Sequence, residues 1–312
     1  MSLGDRPHIH IDPPTNEKIR SFLRKLNIVI FTCTYYQTTE DLRFHQCLET
    51  LQSKYGANSV PVVVVDGSPP EVHEVLKNST GAIVRKETGN CGKGKGGALR
   101  EAAQVAASLP GVDENTWLCW QEAEKSHMMQ CWARNVFLNI DSKSDDNEEK
   151  SGSKVEDSDD IITPFRDVTC FQRSYPIEQY HSESYGNYYL NCVMNEALTK
   201  CRPDMQSSGT GSSSKDLSLS IDWHFGPFAF RRKLLHLWME YKGTSYDAQL
   251  IPIVHALRKG HKVNARIHVP FELDSRMKDQ EEGDIDFIEK RLHQLNGLDP
   301  MVKKSWSDEF YC

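Results

Sequence analysis

The chain has 312 residues, of which 38% are hydrophobic and 26% charged, and its formal net charge is −7. That length suits one large domain or two small ones, and the acidic balance argues against a general nucleic-acid binder, whose surface is normally basic. The nine cysteines contain no CxxC pair, no apolar run approaches the roughly 18 residues of a membrane span, and the leading MSLGDRPHIHIDPPTNEK is neither an apolar signal nor an Arg-rich transit pattern, so a reduced, cytoplasmic protein with no transmembrane segment is expected.

The elements follow in chain order. Leu26 to Thr32 (LNIVIFT) reads as a β-strand ending in a polar turn, and Asp41 to Lys54 has helical spacing with Leu42, Cys47, Leu48 and Leu51 on one side. Val60 to Val65 reads as a buried strand ending at Asp66-Gly67-Ser68; Glu71 to Lys77 is helical, Ala82 to Arg85 a short strand. A glycine-rich segment then opens a helix expected from Gly97 to Ser108, and Thr116 to Trp120 forms a fourth strand ending in Gln121-Glu122-Ala123-Glu124. Strands alternating with helices imply an α/β layer with a mostly parallel sheet. Ligands of such sheets bind beyond the carboxyl ends of the strands. Thr32, Asp66 and Glu122/Glu124 all sit at expected strand ends.

Residues 141–160 (DSKSDDNEEKSGSKVEDSDD) are acidic and Ser-rich, the composition of a solvated, disordered insertion. Residues 202–216 read as a second flexible loop. Beyond them, Tyr185 to Lys200 is helical, and Asp222 to Arg232 (DWHFGPFAFRR) is an aromatic-rich turn leading into a helix. Asp247 to Lys259 is a helix closed by Gly260, Lys262 to Val269 alternates like a strand, and Asp284 to Leu295 is amphipathic.

The densest chemistry lies in Gly89 to Ala102 (GNCGKGKGGALREA), where five glycines, two lysines and an arginine precede a helix. Glycine lets backbone approach a ligand, and helix N-terminal amides attract anions. Lys93, Lys95 and Arg100 add charge suited to phosphate. Cations at a helix N-terminus oppose the macrodipole, a cost that favours a functional reading over solvated charge.

Taken together, FTCTYY, VVVVDGS, NCGKGKGGALREA, the strand-end carboxylate pair, GPFAFRR and the acid-led helix SYDAQLIPIVHALRKGHKV resemble, in that order, the GT-A glycosyltransferases of the inverting family 2-like group. The glycine segment looks like that of polyprenyl-phosphate sugar transferases. The resemblance spans about residues 26–295 and implies one GT-A domain: a nucleotide-sugar-binding half at 26–140, the acidic insertion at 141–160, and an acceptor and catalytic half at 161–299, with an extension at 1–25 and a tail at 300–312. It implies a Rossmann-like sheet with helices on both faces, a nucleotide-diphosphate sugar donor and an unknown acceptor.

By that resemblance Thr32, Asp66, Lys93, Lys95, Arg100 and Glu122 would bind the donor, and Asp247 would be the catalytic base with Asp222 as runner-up. Arg231, Arg232 and Trp223 would serve the acceptor. The family's D-x-D is replaced here by Glu122-Ala123-Glu124, which keeps the spacing on longer side chains; with His268 it would hold Mg²⁺ or Mn²⁺. Each residue also has a plainer reading. D-G-S is good turn chemistry, an aspartate in a first helical turn complements the dipole, and the aromatics serve a core equally well. Two alternatives stay open: a non-catalytic sugar-nucleotide binder, favoured by the E-x-E change, and a sugar nucleotidyltransferase, disfavoured because FTCTYYQTTE lacks the glycine-rich loop it needs after the first strand.

Overall fold

A computed structural model describes residues 27–53, 57, 60–125, 167–173, 181–201, 221–269, 276 and 283–306. The expected N-terminal extension, acidic insertion and 202–216 loop lie outside the described residues. Seven strands form one sheet: β1 (Ile28–Thr34), β2 (Val62–Asp66), β3 (Ile83–Lys86), β4 (Trp117–Trp120), β5 (Val168–Arg173), β6 (Phe228–Arg231) and β7 (Val263–Val269), in the order β3-β2-β1-β4-β6-β5-β7. All pairings are parallel except those of β6, which runs antiparallel to β4 and β5.

Helices cover both faces. The central strands are apolar over Ile28–Phe31, Val62–Val65 and Trp117–Trp120, because both faces are buried there, and turn polar toward the ends of β1 and β2. Ile28, Ile30, Val62 and Val64 point into a core with Phe44, Cys47, Leu51, Val72 and Leu76, from α1 (Leu42–Gln52) and α2 (Pro70–Ser79). Val29, Phe31, Val63 and Val65 point into the opposite core, filled by α3 (Gly94–Ala107), α4 (His181–Cys201), α5 (Leu235–Glu240), α6 (Asp247–Arg258) and α7 (Ile285–Trp306). Asp41 caps α1, its Oδ1 accepting from the Arg43 amide at 2.9 Å. Ala98, Ala102, Ala103 and Ala106 of α3 are all buried, so small side chains set that helix close against β1 and β2.

Several bounds differ from expectation. The segment read as a turn into a helix keeps its turn at 223–225 and does lead to a helix, but β6 intervenes, whose Phe230 stacks on Trp238 with ring centroids 3.8 Å apart. Helix α3 begins at Gly94 rather than Gly97, so Lys95 lies inside its first turn. Strand β1 ends at Thr34 rather than Thr32. Helix α7 runs on to Trp306, through the start of what was expected to be a tail.

Candidate functional site

The sheet register puts Thr34 beside Asp66, and Phe31 beside Trp120, so the carboxyl ends of β1, β2 and β4 open onto one crevice. The loop after β4 carries Glu122, Glu124 and Lys125 into it, and the first turn of α3 brings Lys95 from the other side. Lys95 Nζ lies 2.5 Å from Glu122 Oε1, and Lys125 Nζ lies 2.9 Å from Oε2. Lys95 Nζ also sits 6.0 Å from the Trp120 ring and 5.6 Å from the Tyr246 ring. Burial opposes ionisation of Glu122, but the charges and hydrogen bonds of Lys125 and Lys95 hold it far below the usual carboxylate range. Glu124 is pushed the other way, by burial first and then by the charge of Glu122. The two acids therefore have unequal environments one residue apart.

Asp66 is fully buried. Its Oδ1 accepts from the Thr34 hydroxyl at 2.9 Å and the Ser68 hydroxyl at 2.6 Å, and its Oδ2 lies 2.9 Å from His73 Nδ1. The network ties the end of β1 to the start of α2. Thr32 stands two residues inside β1, fully buried, with no hydrogen-bond partner for its hydroxyl among the described residues. The strand-end position expected for it belongs to Thr34.

The glycine segment splits its cations. Lys95 enters the crevice. Lys93, two residues earlier, lines a separate cavity of about 630 Å³ with Arg100 and Lys242. Arg100 is 2% exposed and donates to three backbone carbonyls: Nε to Cys91 at 2.9 Å, and Nη1 to Tyr241 at 2.9 Å and Gly243 at 2.7 Å. It fastens the glycine loop to the chain leading into α6.

Both candidate bases are engaged. Asp247 is buried at the start of α6, with Oδ2 accepting from the Tyr241 hydroxyl at 2.5 Å and Oδ1 from the Ser245 amide at 3.0 Å. It also borders a groove of about 580 Å³ between Ser245–Asp247 and α7, lined further by Lys290 and His293. Asp222 faces Arg173, whose Nε and Nη2 reach its two oxygens at 2.6 and 2.8 Å, and Asn191 donates to it at 3.0 Å. Burial alone would raise its pKa, yet these partners hold it below the ordinary value. Tyr246 joins the crevice and the groove: its ring faces Lys95, its hydroxyl donates to the His224 carbonyl at 2.6 Å, and it lines the groove with Asp247.

Other expected residues lie elsewhere. Because β6 is antiparallel, Arg231 pairs with Trp117, at the opposite end of β4 from Trp120; its guanidinium stacks 4.0 Å from the Trp117 ring and donates to the Asn115 carbonyl. Arg232 donates to the Ala107 carbonyl at 3.0 Å, at the far end of α3. Trp223 is buried, with Nε1 donating to Asn195 Oδ1 at 3.0 Å. His268 is an exposed residue of β7, paired with Gln172 of β5. Among the described residues, no three His, Cys, Asp or Glu side chains converge as a metal site, so His268 does not complete one with the two glutamates. Thr34, His73, Lys125, Tyr246 and Lys242 were not anticipated. Only Lys125 carried a sequence signal, as a charge next to the carboxylate pair.

No known family model matches the chain, and no curated protein matches it. Solved structures do resemble it. Glucosyl-3-phosphoglycerate synthase from Mycobacterium tuberculosis superposes with a TM-score of 0.51 at 12% identity, over 95% of this chain and 86% of that one. The same enzyme with Mn²⁺, uridine-diphosphate-glucose and phosphoglyceric acid gives 0.49 at 13%, over 96% and 86%. Its complex with Mn²⁺, uridine diphosphate and phosphoglyceric acid gives 0.47 at 11%, over 91% and 82%. The mostly parallel sheet covered by helices, in this strand order, is the GT-A fold.

Proposed function

We propose that this chain is a glycosyltransferase that moves a sugar from a nucleotide-diphosphate donor onto an acceptor hydroxyl. The observation that carries the reading is the cluster of Lys95, Glu122, Glu124 and Lys125 at the carboxyl edge of a GT-A sheet, bordered by Tyr246. Lys95 and Lys125 would take the diphosphate, exchanging Glu122 for phosphate oxygens. Asp66 remains the candidate for the base or ribose. Its Oδ1 is already taken by the Thr34 and Ser68 hydroxyls, so a nucleotide donor would use Oδ2, beside His73.

Glu122 and Glu124 fit a divalent cation. Glu122 already draws two ammonium groups, and the charge of Glu122 weighs against ionisation of Glu124, a repulsion that a cation would relieve. Mg²⁺ is commonly held by one or two carboxylates plus substrate phosphates, so a third protein ligand is not needed. Mn²⁺ or Mg²⁺ there would neutralise charge on the leaving diphosphate; the M. tuberculosis synthase was crystallised with either ion and uridine diphosphate.

The acceptor would enter the groove beside Asp247. That carboxylate is better placed as general base than Asp222, whose oxygens are held by Arg173 and Asn191. Proton removal by Asp247 opposite the leaving group would invert the anomeric centre, which proton NMR of the product would read directly. A second reading, a sugar-nucleotide binder without transfer, draws on the hydrogen bonds that already occupy Asp247.

A melting-temperature screen with UDP, GDP and their sugars, with and without Mn²⁺, tests the proposal. A ligand at about 100 times its Kd adds roughly 2.7 kcal/mol. The expected result is a shift with one nucleotide that disappears in Lys95→Ala. Absence of a shift with every nucleotide refutes the proposal. Binding without turnover on any hydroxyl acceptor would favour the non-catalytic binder.

A further inference from the structure

Lys93 and Lys95 stand two positions apart at the start of α3, and residues so spaced on a helix face different directions. Lys95 meets Glu122. Lys93 meets no carboxylate among the described residues. It faces the cavity of about 630 Å³ between the glycine loop and the Tyr241–Thr244 segment, where Lys242 stands on the opposite wall. Lys242 Nζ donates to the Met239 carbonyl at 2.7 Å and likewise has no acidic partner among the described residues. Arg100, 2% exposed, forms the floor. Its Nε and Nη1 are spent on carbonyls, whereas Nη2, on the Gly92 side, has no partner among the described residues; a Cβ added to Gly92 would lie 2.8 Å from it. The other lining side chains are neutral, and no aspartate or glutamate borders the cavity.

Three cations thus line one cavity that no carboxylate borders, in a protein whose net charge is −7; the charge of Asp247 acts on Arg100 from outside the lining. Holding them together costs Coulomb energy that a bound anion would return. A dianion satisfies three positive groups better than a monoanion. The volume exceeds what a bare phosphate fills and lies in the range of small-molecule sites, about 300–1,000 Å³. We infer that the cavity formed by Lys93, Arg100 and Lys242 is a second anion site, separate from the Lys95–Glu122 crevice, and that it takes a small molecule carrying a phosphate group.

The test is calorimetric titration of the full chain with inorganic phosphate in chloride buffer, against acetate at equal ionic strength. Phosphate should bind and acetate should bind at least tenfold more weakly. Lys242→Gln should weaken phosphate at least tenfold, and Lys95→Gln by less than twofold. The inference is overturned if wild type takes no phosphate, if acetate binds as well, or if Lys95→Gln abolishes binding while Lys242→Gln does not. Nucleotide titrations of the same variants are a separate measurement: their failure would remove the donor assignment and leave the phosphate result standing.

Discussion

Replacing Arg100 by Met should loosen the seam on which both cavities depend. The aliphatic body is kept, while three hydrogen bonds to the carbonyls of Cys91, Tyr241 and Gly243 are lost. Each bond from a charged donor is worth about 1.5–3 kcal/mol. Their sum overstates the effect, because burying the guanidinium is itself costly and the carbonyls regain some water from the adjoining cavity. A net loss of about 3 kcal/mol is expected, which lowers the melting temperature by roughly 6–12 °C in a domain of this size. Arg100→Lys keeps the charge but replaces a planar fork with a single ammonium, and should lose about half as much. Urea unfolding followed by circular dichroism, with a calorimetric melt in parallel, measures both. A Met variant within 1 kcal/mol of wild type would refute the claim that Arg100 fastens the glycine loop to α6, and with it the floor of the anion site.

Three further outcomes can be checked together. Gly97→Ala should destabilise more than Gly89→Ala, since a Cβ at Gly97 runs into the Gly92 carbonyl whereas at Gly89, with φ at +74°, nothing lies within 4 Å; the exposed change should cost about 1 kcal/mol in urea unfolding and the buried one clearly more, and equal losses would contradict the packing. Glu124 has a raised pKa in the folded state, so the folded state binds more protons and stability falls as pH rises through that value; Glu124→Gln should therefore melt higher than wild type at neutral pH, with the gap closing below about pH 4, and a lower melting temperature at neutral pH would count against it. His255 is held down to about 4 by burial, with Arg258 and Lys259 adding to it, so between its ordinary value of 6.5 and that lower one the unfolded state binds the extra proton and stability is lost as pH falls; His255→Asn should flatten this part of a pH–stability curve, and an unchanged slope would show that another group sets it.

The architecture was legible where periodicity was strong. β1 and β2 announce themselves as apolar runs because both faces are buried, and α3 by its alanines. β5 and β6 were not legible: VTCFQR mixes polar with apolar residues and lacks an apolar run, and FAFR reads equally as an aromatic turn until its antiparallel partners are known. That single reversal decides the fate of Arg231 and Arg232. A parallel strand would have delivered them to the crevice; an antiparallel one puts them at the other end of the sheet.

The cations of the glycine segment teach a related lesson. Sequence shows GKGKGG as one patch of positive charge, and treating Lys93, Lys95 and Arg100 as a single diphosphate clamp follows naturally. Helix geometry separates them. Moving the start of α3 from Gly97 to Gly94 places Lys95 in the first turn and Lys93 at the cap, on different sides. The partners that then define each lysine, Glu122 for one and Lys242 for the other, come from segments 27 and more than 140 residues away. Local composition identifies a phosphate-seeking segment. Only the return of the chain through Tyr241–Thr244 gives that segment two places to use its charge.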